Sequence, residues 1–510
     1  MLDRRGFLLA GGTSLAMLGT RVQVAAQRAT VTRRSVRGMT ANDPDLAAMR
    51  RAVAAMKALP PSDPRNWIRF ADIHGSFCPH GNWYFLPWHR AYIATFERLC
   101  RELSGKPDFA LPYWDWTADR QFPAAFAAGN GAANPLNDVR PGVARGFRLA
   151  DDMVGPQVMS RILNSPDFEA FGSTRPSGQN GIGRQWQQRE GSRTELEFNP
   201  HDGVHQAIGG TMAIVNQSSR DPIFYLHHSN VDRLWTAWNR RGNANSPEPM
   251  WRDFAFNRQF IQPDGSPWNV TVGDLGATPS LGYRYDDDDG PFAADMVLPM
   301  GDAMTERLRA YRQFGADALA CIRNGQSEIP LRSGGAIRMA SAESREIAYR
   351  ERPVGISVPL GQPLGDIVGP AAMAYRPDRP DGAQNRRQDR RYVWGVIRGV
   401  ARPRDLTTRV RVFCNCHELT PRTGVDDPSY ATSFSFFGGH DGNRGAGGHS
   451  GHGEGGEASL CVDLTPALAR MDNPRSLRSD RLTVQLLPTC ANREAELSAV
   501  RTRCVEIVVL

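Results

Sequence analysis

Histidine is scarce in this chain, and long apolar segments are missing. Only 11 of the 510 residues are histidine, against 61 lysines and arginines and 54 acidic residues. The apolar stretch near the amino terminus is short and glycine-rich, and no other run approaches the roughly 20 residues that a membrane helix needs. The net charge of +7 is mild for this length, and the basic residues are dispersed. We therefore expect no stable membrane span and no nucleic-acid partner.

The few histidines are clustered. Seven of the 11 fall into two short segments in the first half of the chain. His201 and His205 are four apart, so on a helix both project from one face and can chelate one metal ion. His228 would complete a trio, but His227 stands beside it, and adjacent helical positions point about 100° apart, so only one of the pair can face the ion. The pattern predicts two groups of three imidazoles: His74, His80, His89 and His201, His205, His228.

Sites built from neutral imidazoles alone, without thiolate or carboxylate, suit copper or zinc. The segments around these histidines resemble the type-3 copper proteins, the family of tyrosinases, catechol oxidases and hemocyanins. The similarity covers roughly residues 65 to 290 and is carried by the motifs FLPWHRAY, LPYWDWT, HDGVH and DPIFYLHHSNVDRLW. The resemblance implies two copper ions, the first bound by the first trio and the second by the second trio. It also favours His228 over His227, because the family uses the second histidine of the HH pair.

Four further positions carry over from the family one by one. Cys78 lies two residues before His80, an arrangement in which some members join the sulfur to the ligand ring by a thioether; a free buried thiol is the alternative. Glu197 matches a glutamate that holds a water near the coppers in plant enzymes. Asp202 stands where efficient monophenol hydroxylases often carry asparagine, and two nearby carboxylates should repel and raise one pKa. Val215 aligns with the gatekeeper position above the second copper, although it also fits an ordinary core valine.

The resemblance implies a reaction with dioxygen as co-substrate. Two copper ions held by neutral imidazoles can each give one electron to dioxygen, a step that zinc and protein side chains cannot perform. The expected activity is oxidation of o-diphenols to o-quinones together with hydroxylation of monophenols, as in a tyrosinase or polyphenol oxidase. The substrates would be small phenols and catechols. A pure catechol oxidase stays an alternative, and so does a hemocyanin-like oxygen carrier, against which a single copper pair without repeated units argues.

The periodicity predicts a mainly α catalytic domain followed by an all-β, sandwich-like carboxy-terminal domain. The dicopper domain is expected over residues 27–294, as a four-helix bundle around the metal pair with long connecting loops. Its helices are expected at residues 43–59 and 91–103, through His201 and His205, and from His228 to residue 238.

The second half of the chain is expected to contain a linker and a β-sandwich. Residues 295–388 mix one expected helix, residues 305–324, with proline-, glycine- and arginine-rich linker sequence. From residue 389 to 510 the period changes to two, in runs such as VWGVIRGV, TRVRVF and VEIVVL, which predicts short strands. In relatives such a domain can cover the copper site and keep the enzyme latent, so it could act as a lid here, although the sequence identifies no plugging residue.

The amino terminus predicts export. Two arginines at positions 4 and 5 precede GFL and a weakly apolar stretch, and VAA at positions 24–26 fits a cleavage site. This pattern is typical of a twin-arginine signal peptide over residues 1–26. It implies the twin-arginine export machinery as a partner, a periplasmic or secreted enzyme and a bacterial source.

Five of the eight cysteines lie late in the sequence, at positions 414, 416, 461, 490 and 504. An oxidising compartment permits disulfides, and we expect one or two among them with the pairing undefined. Cys414, Cys416 and His417 could instead bind copper in transit. A glycine-rich segment with His440, His449 and His452 is expected to be a flexible surface loop, with transient copper capture as the alternative. A homo-oligomer is compatible with the sequence.

Overall fold

The computed structural model describes most of the chain, in several ranges. They are residues 30–129, 133–144, 146–165, 167–176, 187, 191–287, 328–330, 336–348, 352–367, 392–401, 408–437, 457–471, 474–490 and 499–509. The expected signal peptide, the expected helix at 305–324 and the three histidines of the glycine-rich segment lie outside these residues, so they stay predictions.

Helices dominate the described residues up to position 252. The α-helices there are α1 (Pro44–Ala58), α2 (Trp67–Phe77), α3 (Phe85–Ser104), α4 (Ala124–Ala127), α5 (Asp151–Val154), α6 (Pro156–Leu163), α7 (Phe168–Phe171), α8 (Asp202–Ile208), α9 (Ile223–Arg240) and α10 (Pro249–Arg252). A π-helical turn, Glu197–His201, leads directly into α8. Short 3₁₀ turns follow at Gly210–Ala213, Ser218–Arg220, Gly273–Leu275 and Thr278–Leu281.

Local sequence explains where the long helices begin and end. The Asp43 carboxylate accepts a hydrogen bond from the backbone N–H of Asp45 at 2.9 Å and so caps α1. The Asn66 side chain does the same for α2, accepting from the N–H of Ile68 at 3.1 Å. Helix α3 ends at Gly105, whose φ of +68° is a left-handed conformation that glycine adopts without strain. These signals set the frame on which the histidines stand.

The predicted helices exist, with two differences in extent. The helix expected at 43–59 is confirmed as α1. The helix expected at 91–103 begins earlier, at Phe85, so His89 lies inside α3 and not before it. The helix expected to follow His228 begins at Ile223, which places the HH pair inside α9. The long connecting loops also contain the short helices α4 to α7.

A buried charge cluster ties the beginning of the helical part to its end. Strand β1 (Val31–Arg33) pairs in parallel with β4 (Tyr283–Tyr285). Fully buried Arg33 donates to Glu97 at 2.7 Å and lies 3.5 Å from Asp232. The hydroxyl groups of Tyr283 and Tyr285 donate to the same Asp232 carboxylate at 2.7 and 2.6 Å. Since α3 carries Glu97 and α9 carries Asp232, the cluster fixes the two helices that hold His89 and His228.

Strands make up most of the second half. Besides the hairpin β2 (Ala255–Ile261) and β3 (Pro267–Thr271), they are β5 (Glu328–Pro330), β6 (Ala336–Glu343), β7 (Ile347–Ala348), β8 (Val354–Pro359), β9 (Val393–Ala401), β10 (Thr408–Cys414), β11 (Tyr430–Phe434), β12 (Glu457–Asp463), β13 (Arg481–Cys490), β14 (Val500–Arg501) and β15 (Cys504–Val509). Helices α11 (Thr465–Ala469) and α12 (Pro474–Arg478) lie between them. One sheet has the order β11-β10-β13-β8, and the other runs β5-β6-β15-β9-β14-β7 with β12 paired to β9.

The two sheets share one hydrophobic core, and the predicted order of a helical part followed by a β-rich part is confirmed. The interpretation of residues 295–388 as a linker is wrong for residues 328–359. Strand β8 pairs with β13, and β6 pairs with β15, so this stretch supplies strands to both sheets. Its alternation of buried and exposed residues is short and flanked by proline, glycine and arginine, which hid the period of two.

The expected disulfides do not form among the described side chains. No disulfide joins Cys414, Cys416, Cys461 or Cys504 to another described cysteine, and all of these but Cys416 are buried. Each of the three buried thiols lies in a strand of the β-rich part, where it packs as a small apolar side chain. No helix in the described ranges combines the length and the apolarity that crossing a bilayer requires.

The β-rich part docks on the helical part through polar contacts. Arg409 of β10 donates to Asp152 at 2.8 Å, and the Ser433 hydroxyl donates to the same carboxylate at 3.0 Å. The Thr432 hydroxyl donates to Glu195 at 2.8 Å. Glu195 immediately precedes the segment that carries His201, so the docking surface lies next to the second histidine trio.

Candidate metal centre

The first trio is built from the end of α2, the following turn and the start of α3. His74 lies in the last turn of α2, and His89 in the second turn of α3. Their Nε2 atoms are 3.3 Å apart. The Nδ1 N–H of His89 donates to the carbonyl of Phe85 at 2.8 Å, one helical turn earlier. This hydrogen bond places the proton of a neutral imidazole on Nδ1, so the Nε2 lone pair is left for a metal.

His80 is held beside a cysteine. The Sγ atom of Cys78 lies 3.5 Å from the His80 Nδ1 atom, and Cys78 is 1% exposed. Burial raises the pKa of the Cys78 thiol far above its usual value, so the sulfur is protonated and is a poor metal ligand in that state. The contact is compatible with the expected thioether, which stays a prediction.

The three histidines of the second trio lie in three different helical segments. His201 ends the π-helical turn, His205 lies in α8, and His228 lies in α9. The Nε2 atoms of His205 and His228 are 3.4 Å apart, and His205 Nδ1 donates to the Met212 carbonyl at 2.8 Å. His201 places Nδ1 2.8 Å from an Asp202 oxygen, while its buried Nε2 atom has no hydrogen-bond partner. A buried imidazole nitrogen without a hydrogen-bond partner is available to bind a metal ion.

Trp116 distinguishes the two members of the HH pair. Its indole N–H, which can only donate, points at Nδ1 of His227 at 3.2 Å. Burial lowers the pKa of His227 to about 3, so the ring is neutral and carries its single proton on Nε2. A protonated Nε2 cannot bind a metal. His227 lies among the second trio, with its ring centroid 4.8 Å from that of His205, but its tautomer favours His228 as the ligand.

The two trios face each other inside the protein. The rings of His89 and His228 stack with centroids 4.3 Å apart and planes 8° apart, and His80 lies 5.6 Å from His201. All six predicted ligand side chains are 5% exposed or less. Burial lowers the pKa of His89 to about 3 and those of the second trio well below 6.5. Six buried imidazoles in two facing groups are a donor set that fits a pair of copper ions.

Glu197 is fixed by two short hydrogen bonds. The backbone N–H of Gly81 donates to its Oε1 atom at 2.6 Å, and the Ser173 hydroxyl donates to its Oε2 atom at 2.6 Å. Ser173 adopts a φ of +75°, in the left-handed region that costs a residue with a side chain about 1 kcal/mol or more. The strained serine and Gly81, the residue after His80, fix the orientation of the carboxylate.

Asp202 is engaged on both oxygens. Its Oδ1 atom contacts His201, and its Oδ2 atom accepts from Nη1 of Arg193 at 2.7 Å. The Arg193 Nε atom also lies 3.9 Å from Glu197. The expected repulsion between the two carboxylates is therefore offset by a guanidinium group that contacts both.

Val215 lies in a half-buried turn near the first trio. A Cβ atom on Gly75, the residue after His74, would meet the Asn216 carbonyl oxygen at 2.9 Å, so this turn packs directly against α2. The role of Val215 as a gatekeeper stays a prediction.

Phe437 is the main residue that the sequence did not reveal. Its ring stacks on His205 with centroids 4.0 Å apart and planes 21° apart. The rings of His80 and His201 each meet its ring at 5.5 Å. Phe437 follows β11 and immediately precedes the glycine-rich segment, and only this change of composition could have drawn attention to it.

Nothing in the described part of the β region reproduces the histidine clusters. Burial raises the pKa of the Cys414 thiol to about 12, and the His417 ring contacts the Ser476 hydroxyl at 3.2 Å. The clusters of potential metal ligands found among the described residues are His74, Cys78 and His80, and His201, His205, His227 and His228, and all of them lie in the helical part. Copper capture by Cys414, Cys416 and His417 therefore gains no support from their arrangement.

The sequence matches a known protein family over the segment that holds both trios. Residues 54–241 match the family model described as the common central domain of tyrosinase. A tyrosinase of Hahella sp. (strain CCB-MM4) is 30% identical over 290 residues, which cover 48% of this chain and 61% of the relative. The chloroplastic polyphenol oxidase of Malus domestica is 26% identical over 423 residues, covering 75% of this chain and 65% of the relative. The chain thus spans less than two thirds of either relative's length.

The fold is also similar to a solved structure over almost the whole chain. Latent apple tyrosinase superposes with a TM-score of 0.62 at 21% sequence identity, and the alignment covers 94% of this chain and 97% of that one. At this identity the likeness establishes the fold, a helical part with a β-rich part docked on it.

Proposed function

Because this chain belongs to the type-3 copper family of tyrosinases and polyphenol oxidases, we propose that it oxidises phenols with dioxygen at a pair of copper ions. The preferred reaction is oxidation of o-diphenols to o-quinones. One observation supports this most: six buried imidazoles form two facing trios, with two Nε2 atoms 3.3 Å apart in the first trio and two 3.4 Å apart in the second.

We also propose export by the twin-arginine machinery, because of the signal-like sequence of residues 1–26. Fractionation of bacteria that express the protein tests this.

The histidines would hold the metals, and the surrounding groups would hold the histidines. When bound, the copper pair supplies the redox chemistry that passes electrons from the phenol to dioxygen. The chain itself fixes the rings: backbone carbonyls accept from the outer N–H groups of His89 and His205, and Asp202 does so for His201. Rings fixed in this way cannot rotate away from the metals during turnover. The aromatic residues around them, Phe85 and Phe224 among them, keep water out.

Monophenol hydroxylation is the weaker activity in this proposal. It requires a base that takes the phenol proton, directly or through a water. Asp202 is a poor candidate because it forms an ion pair with the Arg193 guanidinium and contacts His201. Glu197 accepts its two 2.6 Å hydrogen bonds from uncharged donors, the Gly81 N–H and the Ser173 hydroxyl, so its carboxylate is the better candidate. This arrangement favours diphenol oxidation and leaves hydroxylation dependent on Glu197 alone.

The docked β region would keep the enzyme latent. The Phe437 ring lies over His205 and contacts one ligand of each trio, where the planar ring of a phenol would have to enter. Phe437 belongs to the β-rich part, so substrate access requires that this part move or be cut. The lid expected from the family thus gains a candidate plugging residue.

The test is turnover of a matched pair, 4-methylphenol and 4-methylcatechol, by copper-loaded full-length protein. Phe437→Ala should raise kcat/KM for 4-methylcatechol by about tenfold or more, because it empties the position above His205. The rate with 4-methylphenol should stay well below the rate with 4-methylcatechol in both proteins.

The matched control is Phe436→Ala. Phe436 packs in the core of the β region against Phe434, at 5.4 Å, so its loss loosens that region without emptying the site. Equal activation by both variants would refute the plugging role. If copper-loaded Phe437→Ala oxidises neither substrate even after limited proteolysis, the proposed activity is wrong and an oxygen carrier is favoured.

A further inference from the structure

One residue of the helical part is hydrogen-bonded into a sheet of the β region. The backbone N–H of Arg193 donates to the Ser459 carbonyl at 2.9 Å, and the Cys461 N–H donates to the Arg193 carbonyl at 2.9 Å. The pair forms a parallel bridge between Arg193 and Leu460. Strand β12 pairs with β9 along its other edge, so Arg193 adds to the remaining edge of this strand.

The side chain of the same residue reaches the second trio. Arg193 Nη1 donates to Asp202 Oδ2 at 2.7 Å, and Asp202 Oδ1 contacts His201 Nδ1 at 2.8 Å. Asp202 and His201 are fully buried, and the Arg193 side chain is 14% exposed. Three consecutive contacts therefore connect the backbone of β12 with a predicted copper ligand.

The segment between Arg193 and His201 is held by the β region as well. The carbonyl of Phe198 accepts from the Ser435 N–H at 3.0 Å. The Phe198 side chain is fully buried and belongs to the hydrophobic core of the β region. The Gln206 side chain, one residue after His205, donates to the Phe436 carbonyl. These contacts lie on both sides of His201 and restrain the turn that carries it.

The physical consequence concerns the orientation of His201. A carboxylate that accepts from the outer N–H of a ligating imidazole fixes the ring and raises its basicity, and losing such a partner typically lowers metal affinity 10- to 100-fold. Asp202 can do this only if its buried charge is compensated, and Arg193 provides the cation. The planar guanidinium of Arg193, whose backbone is itself hydrogen-bonded to β12, orients the Asp202 carboxylate better than the flexible ammonium group of a lysine would.

We propose that Arg193 is a positioning residue through which the docked β region stabilises metal binding by the second trio. The β region then has two opposite effects on one site: Phe437 excludes substrate from it, and Arg193 keeps its metal in place. The inference rests on the proposed function only in taking copper as the metal.

The test measures copper retention by the full-length protein. Wild-type protein loaded with two coppers per chain is incubated with a chelator, and copper per chain is followed by mass spectrometry of the metal. Arg193→Gln should lose one of the two coppers about tenfold faster than wild type and keep the other at the wild-type rate. Arg193→Lys, which keeps the charge but not the planar fork, should lie between the two.

The matched control is Arg411→Gln. It removes the 3.7 Å ion pair with Asp152 at the docking surface but does not touch Asp202. It should leave copper retention close to wild type. If Arg193→Gln retains both coppers like wild type, or if Arg411→Gln loses copper as fast as Arg193→Gln, the inference is wrong. A protein that binds two coppers but oxidises no phenol would refute the proposed function and still allow this test.

Discussion

The two histidine trios differ in how far along the chain the residues that orient their rings lie. The first trio comes from residues 74–89, and the partner of His89 is a carbonyl four residues earlier in the same helix. The second trio spans residues 201–228, and His201 is supported through Asp202 and Arg193 by a strand more than 250 residues later in the chain. A site supported by its own helices is expected to form with the helical part alone. A site supported from a distant sheet depends on docking.

This difference indicates how the two metals respond to change. Loss of the Arg193 contact with Asp202 should affect the second trio and spare the first. Perturbations within residues 74–89 should do the reverse. Three variants test the comparison, in order of decreasing effect.

The largest effect is expected from the ligand that completes the second trio. His228→Ala should reduce copper from two to one per chain and abolish oxidation, because its Nε2 atom is 3.4 Å from that of His205. His227→Ala is the control: Trp116 fixes its tautomer so that Nε2 carries the proton, and two coppers should remain. Measuring the copper content per chain of both variants decides whether His227 or His228 is the ligand. Loss of copper from His227→Ala but not from His228→Ala would reverse the assignment.

A moderate effect is expected at the first trio. If Cys78 is joined to His80, a peptide containing both residues should weigh two hydrogens less than its residues sum to, and Cys78 should resist alkylation in denatured protein. Cys78→Ser should then weaken copper binding at the first trio by a few fold, since the ring gains freedom to rotate. Cys100, another buried thiol of the helical part, is the control and should be alkylated after unfolding. Ready alkylation of Cys78 in active enzyme would contradict the bond.

The smallest effect is expected from the docking ion pair. Burial alone would raise the pKa of Asp152, but Arg409 and Arg411 hold it below its usual value of 3.8. A carboxylate whose folded-state pKa lies below its unfolded value adds stability above about pH 4 and loses this contribution as the pH falls through the folded pKa. Asp152→Asn should therefore lower the stability by about 1 kcal/mol at pH 6, and by progressively less as the pH falls below 4 through the folded-state pKa of Asp152.

Thermal unfolding across this pH range is the measurement. The control is Asp151→Asn, because the neighbouring Asp151 side chain is 73% exposed and its ion pair with Arg120 contributes little stability. The stability of this variant should follow that of wild type across the pH range. A difference between wild type and Asp152→Asn that does not shrink as the pH falls would rule out the ion pair as its source.

Local patterns in the sequence were enough to predict α1, most of α3 and α9, and most of the β-rich part. The cap of α1 and the period-two runs at β9, β10 and β15 are properties of neighbouring residues. Helix α2, which carries His74, was not predicted. Strands β5 to β8 escaped because their alternation is brief and interrupted. Phe437 and Arg193 escaped for another reason. Each acts through a contact between segments far apart in the chain, and no local period or motif marks such a contact.

Phe198 makes removal of the β region costly for the helical part. Its side chain completes the hydrophobic core of the β region although it stands three residues before a predicted copper ligand. Stripping away that region would turn a fully buried phenylalanine toward water, at a cost of about 2 kcal/mol. Molecules that have lost the β region would then be active but prone to aggregate. We therefore expect the oxidation rate to rise sharply on activation and then to fall as the active enzyme aggregates.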